Sequence, residues 1–382
     1  MDAYITDLAA FLPNGPVDND HMEKVLGMVG QTPSRTRALI LRKNRIRQRY
    51  YAIDPVTGRT THTNAQLTAE AIRRLSPREG FSAAEIECLA CGTSSPDQLM
   101  PGHGLMVHGE LATPPCEVAS FNGICLSGIG ALKYAAMNVA LGLTANAVAT
   151  GSELASTYMR ARLFGTLSPD RADALEAQPI LAFDADFLRW MLSDGAGAAF
   201  VAPAPAPGRL SLRIDWIDHL SFAGELETCM YSGAVKNADG SLTGWRDFES
   251  LSDAVAANAF LVKQDVELLN REVIRVAVDA MLARVIAKRG LSAADVAWFV
   301  PHYSSDFFRQ ALHDRMASIG FEIPAERWFS NLPTCGNTGS ASIFIMLEEL
   351  FHSGRLRAGD RLLCMIPESG RFSMAYMLLT AV

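Results

Sequence analysis

What most restricts the fold of this 382-residue chain is a repeat of spacing. In the first half an apolar segment, "IECLACGTSS", runs out near Cys91. Cys125 then opens "CLSGIGALKYAAMNVALG", an apolar stretch that reads as a buried helix, 34 residues later. In the second half "VAWFVPHYSS" runs out near His302, and "NTGSASIFIMLEELFHSG" opens at Asn337, 35 residues on. His302 lies 211 residues beyond Cys91, and Asn337 lies 212 beyond Cys125. Each helix is followed by a further strand-like segment, "NAVATGSE" and "RLLCMIPESG", whose Glu153 and Glu368 are 215 apart. Strand, connection, helix and strand thus recur in one order, the pattern of an α/β sheet with crossover helices. We read a duplicated α/β chain with halves 1–205 and 206–382, divided at the exposed Ala-Pro connector "VAPAPAPGRL". Ligands in such folds gather where strand ends meet, so Cys125, His302 and Asn337 can converge although distant in sequence.

Composition narrows the class. With 49% hydrophobic and 20% charged residues the chain can fill large cores, and its net charge of −7 argues against general nucleic-acid binding. The N-terminal stretch carries acids and no basic leader, and no uninterrupted apolar run is long enough to span a bilayer. The expectation is a soluble, cytoplasmic protein without a membrane partner. Seven cysteines, an odd number without paired spacing, fit a reducing compartment. Cys88 and Cys91 form a C-x-x-C, but on a strand residues three apart face opposite sides, and no second pair completes a metal site. No metal is expected. Residues 34–51 hold seven Arg or Lys and no acid, which is either a solvated face or an attractor for phosphates and acidic partners.

Cys125 sits at a helix mouth, where unpaired N–H groups and the helix dipole favour the reactive thiolate. The plain alternative is a small hydrophobe at a crowded turn. Taken alone, His302 reads as a hydrogen-bonded core residue and Asn337 as a turn or cap residue. Taken with the matched offsets, the three make a nucleophile with two hydrogen-bonding partners.

"GICLSGIGAL", "SDGAGAAF", "VPHYSS" and "GNTGSAS", with "IRQRYYA" near the start, resemble the signature segments of β-ketoacyl-acyl-carrier-protein synthase III and its relatives in the thiolase superfamily. The resemblance spans nearly the whole chain. It implies a five-layer αβαβα fold with two similar mixed sheets, and a homodimer. It further implies that Cys125 takes an acyl group from coenzyme A or an acyl-carrier protein, and that no resident cofactor is needed. His302 and Asn337 would hold the thioester carbonyl of the second substrate, and the Cys125 N–H would join an oxyanion hole. Arg45, Arg47, Arg49, Ser305 and Gly370 are expected to contact substrate or carrier.

Two departures stand out: "PESGRFSM" replaces the usual glycine-rich C-terminal loop, and Tyr303, Ser304 and Ser305 follow the histidine in place of Gln-Ala-Asn. With these, the chain is most similar to the branch that forms dialkylresorcinol or cyclohexanedione precursors by joining two acyl thioesters and closing a ring. Glu153 is accordingly a candidate base, its alternative being an acid that satisfies N–H groups at a helix start. Residues 154–191, rich in Met, Leu and Phe, match a segment that lines the acyl channel in the family. Two other readings share the fold: an acyltransferase acting on an alcohol or amine, and a non-catalytic subunit that binds carrier protein.

Overall fold

The computed structural model describes residues 2–164 and 187–382. Its main sheet contains β1 (Tyr4–Phe11), β2 (Cys88–Thr93), β3 (Glu117–Asn122), β4 (Ala147–Glu153), β5 (Gly195–Ala202), β6 (Leu212–Ser221), β7 (Trp298–Pro301), β8 (Arg361–Glu368) and β9 (Ser373–Ala381). The order across the sheet is β7-β8-β9-β6-β1-β5-β4-β2-β3. From β1 outward, β5 and β4 add antiparallel, then β2 and β3 add parallel. From β6 outward the same plan recurs: β9 and β8 add antiparallel, then β7 adds parallel. The second half's counterpart of β3 is reduced to one parallel bridge beside β7, Phe299 to Trp328. Glu153 and Glu368 end corresponding strands, as their spacing indicates.

The two sheets implied by the resemblance meet edge to edge. β1 and β6 pair antiparallel at Tyr4 with Arg213 and Ile5 with Leu212, which satisfies backbone groups that a free edge would leave open and makes one sheet of nine strands.

Six helices matter for the site: α1 (Asn64–Arg73), α2 (His103–Leu111), α3 (Ser127–Ala140), α4 (Val266–Arg275), α5 (Phe307–Ser318) and α6 (Ser342–His352). Strand alternation sorts the side chains into layers. Cys88 and Ala90 of β2, with Leu362, Cys364 and Ile366 of β8, share the central core with α3 and α6. Leu89 and Cys91 turn the other way, toward α1 and α2, so the two cysteines of the C-x-x-C lie on opposite faces. Leu363 and Met365 turn outward toward α4 and α5. The five layers are α1/α2, the first half-sheet, α3/α6, the second half-sheet and α4/α5. Among the described residues no helix is long and apolar enough to cross a membrane.

Glycines let the middle layer approach closely. A Cβ at Gly92 would overlap the Ser127 carbonyl, and one at Gly151 would overlap the Ser340 carbonyl oxygen. Both therefore hold a helix start against strand ends, Ser127 opening α3 and Ser340 lying just before α6.

Candidate active site

The Asn122-Gly123 turn ends β3, and Cys125 lies in the tight turn that follows. The Ser127 N–H donates to the Gly123 carbonyl (2.8 Å) and its hydroxyl to the Ile124 carbonyl (2.9 Å). Cys125 is half-buried, two residues before α3, the helix-mouth position expected from the sequence. The lowered thiol pKa expected there is not found. Burial, followed by the charges of Glu153 and Glu368, pushes its thiol well above the usual range and outweighs the favourable effect of its own N–H.

His302 follows β7 directly, and its N–H donates to the Met365 carbonyl of β8 (2.8 Å). Burial pulls its pKa down to about 4, so the ring is neutral at neutral pH. Asn337 is fixed by its backbone: its N–H donates to Met191 (2.9 Å) and its carbonyl accepts from Ser193 (2.8 Å). Its Oδ1 accepts the Gly339 N–H at 3.0 Å, which leaves the Nδ2 hydrogens to donate elsewhere.

Glu153, also buried, accepts from the first and second halves at once. Its Oε1 takes the Ser94 N–H (3.1 Å), the Ser94 hydroxyl and the Ser340 N–H (3.3 Å), and its Oε2 takes the Ser95 hydroxyl (2.8 Å). Burial raises its pKa, and these donors oppose the rise. The Ser340 hydroxyl completes the junction by donating to the Gly92 and Ser152 carbonyls (3.2 and 3.0 Å) while accepting the Ser152 N–H (3.1 Å). The helix-start role weighed for Glu153 is thus present, on the helix start of the opposite half.

Cys125, Glu153, His302 and Asn337 line one cavity of about 400 Å³. Its apolar walls come from two separate packed groups. Leu188, Met191 and Leu192 belong to one, and Leu269, Val273 and Leu312 to the other. Met230–Ser232, Val262 and Gln264, from the long excursion between β6 and α4, close part of the wall. No motif or spacing singles out these last residues. Ser94 was also missed, although its strand end "GTSS" pairs in parallel with "TGSE" of β4, and that pairing would have brought it to Glu153. Of the channel segment expected at 154–191, Ala155, Tyr158, Leu188 and Met191 reach the cavity, whereas 165–186 lie outside the described residues.

Several expected contacts are corrected. Arg49 is fully buried and donates to Asn19 Oδ1 (2.7 Å) and the Trp190 carbonyl (2.6 Å), so it is an internal tie and cannot receive a phosphate. Arg45 is exposed and pairs with Asp306 (3.1 Å), and Arg47 is exposed. Asp306 is two residues past Ser304, which lines the cavity, so the basic run lies beside the site. Ser305 is turned away from the cavity, its hydroxyl accepting the Phe307 N–H (3.3 Å) at the start of α5. Gly370 packs behind the cavity wall, and its neighbour Ser369 is the residue that reaches the cavity.

Residues 286–377, which contain His302 and Asn337, match the family described as 3-oxoacyl-[acyl-carrier-protein (ACP)] synthase III C terminal. Over 364 residues the chain is 23% identical to β-ketoacyl-[acyl-carrier-protein] synthase III of Chlorobium luteolum, covering 95% of this chain and 94% of that one. Among solved structures, AbyA1, a tetronic acid condensing enzyme, superposes with a TM-score of 0.75 over 99% of both chains at 20% identity. OleA from Xanthomonas campestris superposes with a TM-score of 0.75 over 100% of this chain and 98% of that one at 19% identity. The chain therefore has the thiolase-type fold of the synthase III proteins, and residues 286–377 are a C-terminal domain of that family.

Proposed function

We propose that the protein is a ketosynthase III-like condensing enzyme that loads an acyl group on Cys125 and joins it to a second thioester. The observation that carries this reading is the meeting of Cys125, His302 and Asn337, from both halves, in one apolar cavity. In the first step the Cys125 sulfur attacks an acyl thioester carbonyl. The sulfur–acyl bond forms, the old thioester bond breaks, and the thiol proton goes to the departing thiolate. Because the resting thiol is held protonated, its deprotonation is tied to that attack. In the second step a malonyl thioester loses carbon dioxide, or a β-ketoacyl thioester loses its Cα proton to a base. The electron pair enters an enolate whose oxygen is met by neutral donors on His302 and Asn337. The enolate carbon then attacks the acyl carbonyl and the Cys125 sulfur leaves. Incubation with a panel of acyl thioesters, followed by intact-mass measurement and peptide mapping, tests the reading. An acyl group on any other residue counts against it.

Cyclisation to a dialkylresorcinol or cyclohexanedione precursor is the finer reading, with Glu153 as base. Its support is a buried carboxylate at the cavity wall, with a raised pKa, that Ser94 and Ser95 hold in place. Glu153→Gln should still be acylated on Cys125 but stall afterwards, with loss of about 10²–10⁴-fold in formation of cyclic product. Cyclic product at the wild-type rate would reduce Glu153 to its structural junction.

Coenzyme A and acidic carrier proteins are the donors the basic run suits, through Arg45 and Arg47. Arg45→Ala with Arg47→Ala should raise the half-saturating donor concentration several-fold at low salt, roughly, and flatten its salt dependence. Unchanged capture at low salt would leave the run a solvated face. A cytoplasmic setting agrees with seven free cysteines. A homodimer agrees with the half-exposed edge strand β3 and the exposed Leu99, Met100, Leu105 and Leu141.

A further inference from the structure

We propose that Glu368 is a positioning residue for Cys125, acting through the β8–β9 turn and Ile124. The proposal rests on the reading of Cys125 as the acyl acceptor. Glu368 is the last residue of β8 and pairs with Ser373, the first of β9. Its buried carboxylate gathers the turn between them: Oε1 accepts the Gly370 N–H, and Oε2 accepts those of Ser373 (3.0 Å) and Arg371 (3.5 Å). A carboxylate suits this place because it only accepts, whereas an amide would turn a donor toward at least one of these N–H groups.

The turn so held has little freedom. Phe372 is fully buried with φ +57°, and its carbonyl accepts the Phe222 N–H (3.0 Å). The Gly370 carbonyl accepts from Cys229 (2.8 Å) and Met230 (3.2 Å), and Met230 is itself part of the cavity wall. On its other side the turn presses on Ile124. A Cβ at Gly370 would overlap Glu368 Oε1 and stand 2.7 Å from Ile124 Cδ1, so glycine is needed to bring the two together. Ile124 immediately precedes Cys125 and lines the cavity. Carboxylate, turn, Ile124 and thiol therefore form one chain of contacts, and the acid that interrupts the glycine-rich loop acquires a use. The corresponding strand end of the first half carries Glu153, which fixes its surroundings in the same manner.

The test is single-turnover acylation at saturating acyl thioester, read by intact mass, for wild type, Glu368→Ala, Glu368→Gln and Ile124→Ala. Glu368→Ala should be acylated on the order of 10²-fold more slowly, with half-saturation within about twofold of wild type, since misplacement by about 1 Å costs that much. Glu368→Gln, which keeps one acceptor, should recover part of the rate. If Glu368→Ala does not fold, Ile124→Ala leaves the turn's hydrogen bonds intact and should still be slower by roughly 10-fold or more. A wild-type rate in any soluble Ala variant overturns the proposal, as does a change in half-saturation alone. Glu368→Gln acylated faster than wild type overturns it too, by assigning the effect of the carboxylate to the charge that raises the Cys125 thiol and not to the turn. Wild-type protein that takes no acyl group on Cys125 fails the reading of the site and this proposal with it. Acylated wild type with unaffected variants fails this proposal alone.

Discussion

Cys125→Ala should form no acyl-enzyme and should condense thioesters on the order of 10⁴- to 10⁶-fold more slowly, the loss seen when a nucleophile that works as part of a unit is deleted. The other six cysteines do not substitute for it. Burial raises the pKa of Cys91 to about 12, of Cys229 to about 12 and of Cys335 to about 11, and none of the three lines the cavity. Cys125 is itself raised, so its advantage is access, with the thioester delivered against it. Intact mass after incubation with an acyl thioester, together with a rate assay, checks the result. An alanine variant that still acquires the acyl group, or still turns over, would end the assignment.

His302→Ala and Asn337→Ala should separate the two steps. On the proposed mechanism each removes one donor to the enolate oxygen, and each is expected to slow carbon–carbon bond formation by about 10²–10³-fold while Cys125 is still acylated. The double variant should fall well short of the product of the two losses, since both donors serve one oxygen. Burial keeps His302 neutral above about pH 4, so condensation should show no histidine limb between roughly pH 5 and 7. Rapid quench of pre-acylated protein with the second thioester measures this step directly. A histidine limb near pH 6.5, or variants that cannot be acylated, would move these residues to an earlier role.

The duplicated architecture was legible because strand order and spacing are set by crossover connections that admit few alternatives. Cys91 lies two residues before the end of β2 and His302 one past β7, while Cys125 lies two residues before α3 and Asn337 five before α6, so the 211- and 212-residue offsets mark corresponding regions of the two halves to within three residues. What sequence could not supply was anything decided by burial. Arg49 sits in a run of exposed cations and looks like them, yet its guanidinium is enclosed beside Trp190. Cys125 has the right backbone neighbours for a thiolate, but the dielectric around it and two carboxylates from distant strands reverse the sign. Ser305 and Gly370 were one residue away from Ser304 and Ser369, which do reach the cavity, and a phase of one residue in an irregular loop cannot be fixed by pattern. The meeting of β1 with β6 depends on edge geometry that no periodicity records.

The junction at Ser340 bears on how substrates come and go. Its hydroxyl and N–H tie the start of α6 to β2, β4 and Glu153, while β1 and β6 pair through the middle of the molecule. A clamshell opening of one half against the other would tear these buried bonds at the reaction centre itself, each left unmatched at a cost of about 1–3 kcal/mol. The two halves therefore behave as a fixed socket. The short paired segments at Met230–Tyr231 and Lys263–Gln264, which lie outside the main sheet, belong to the same socket, because the Met230 N–H is held by the Gly370 carbonyl (3.2 Å).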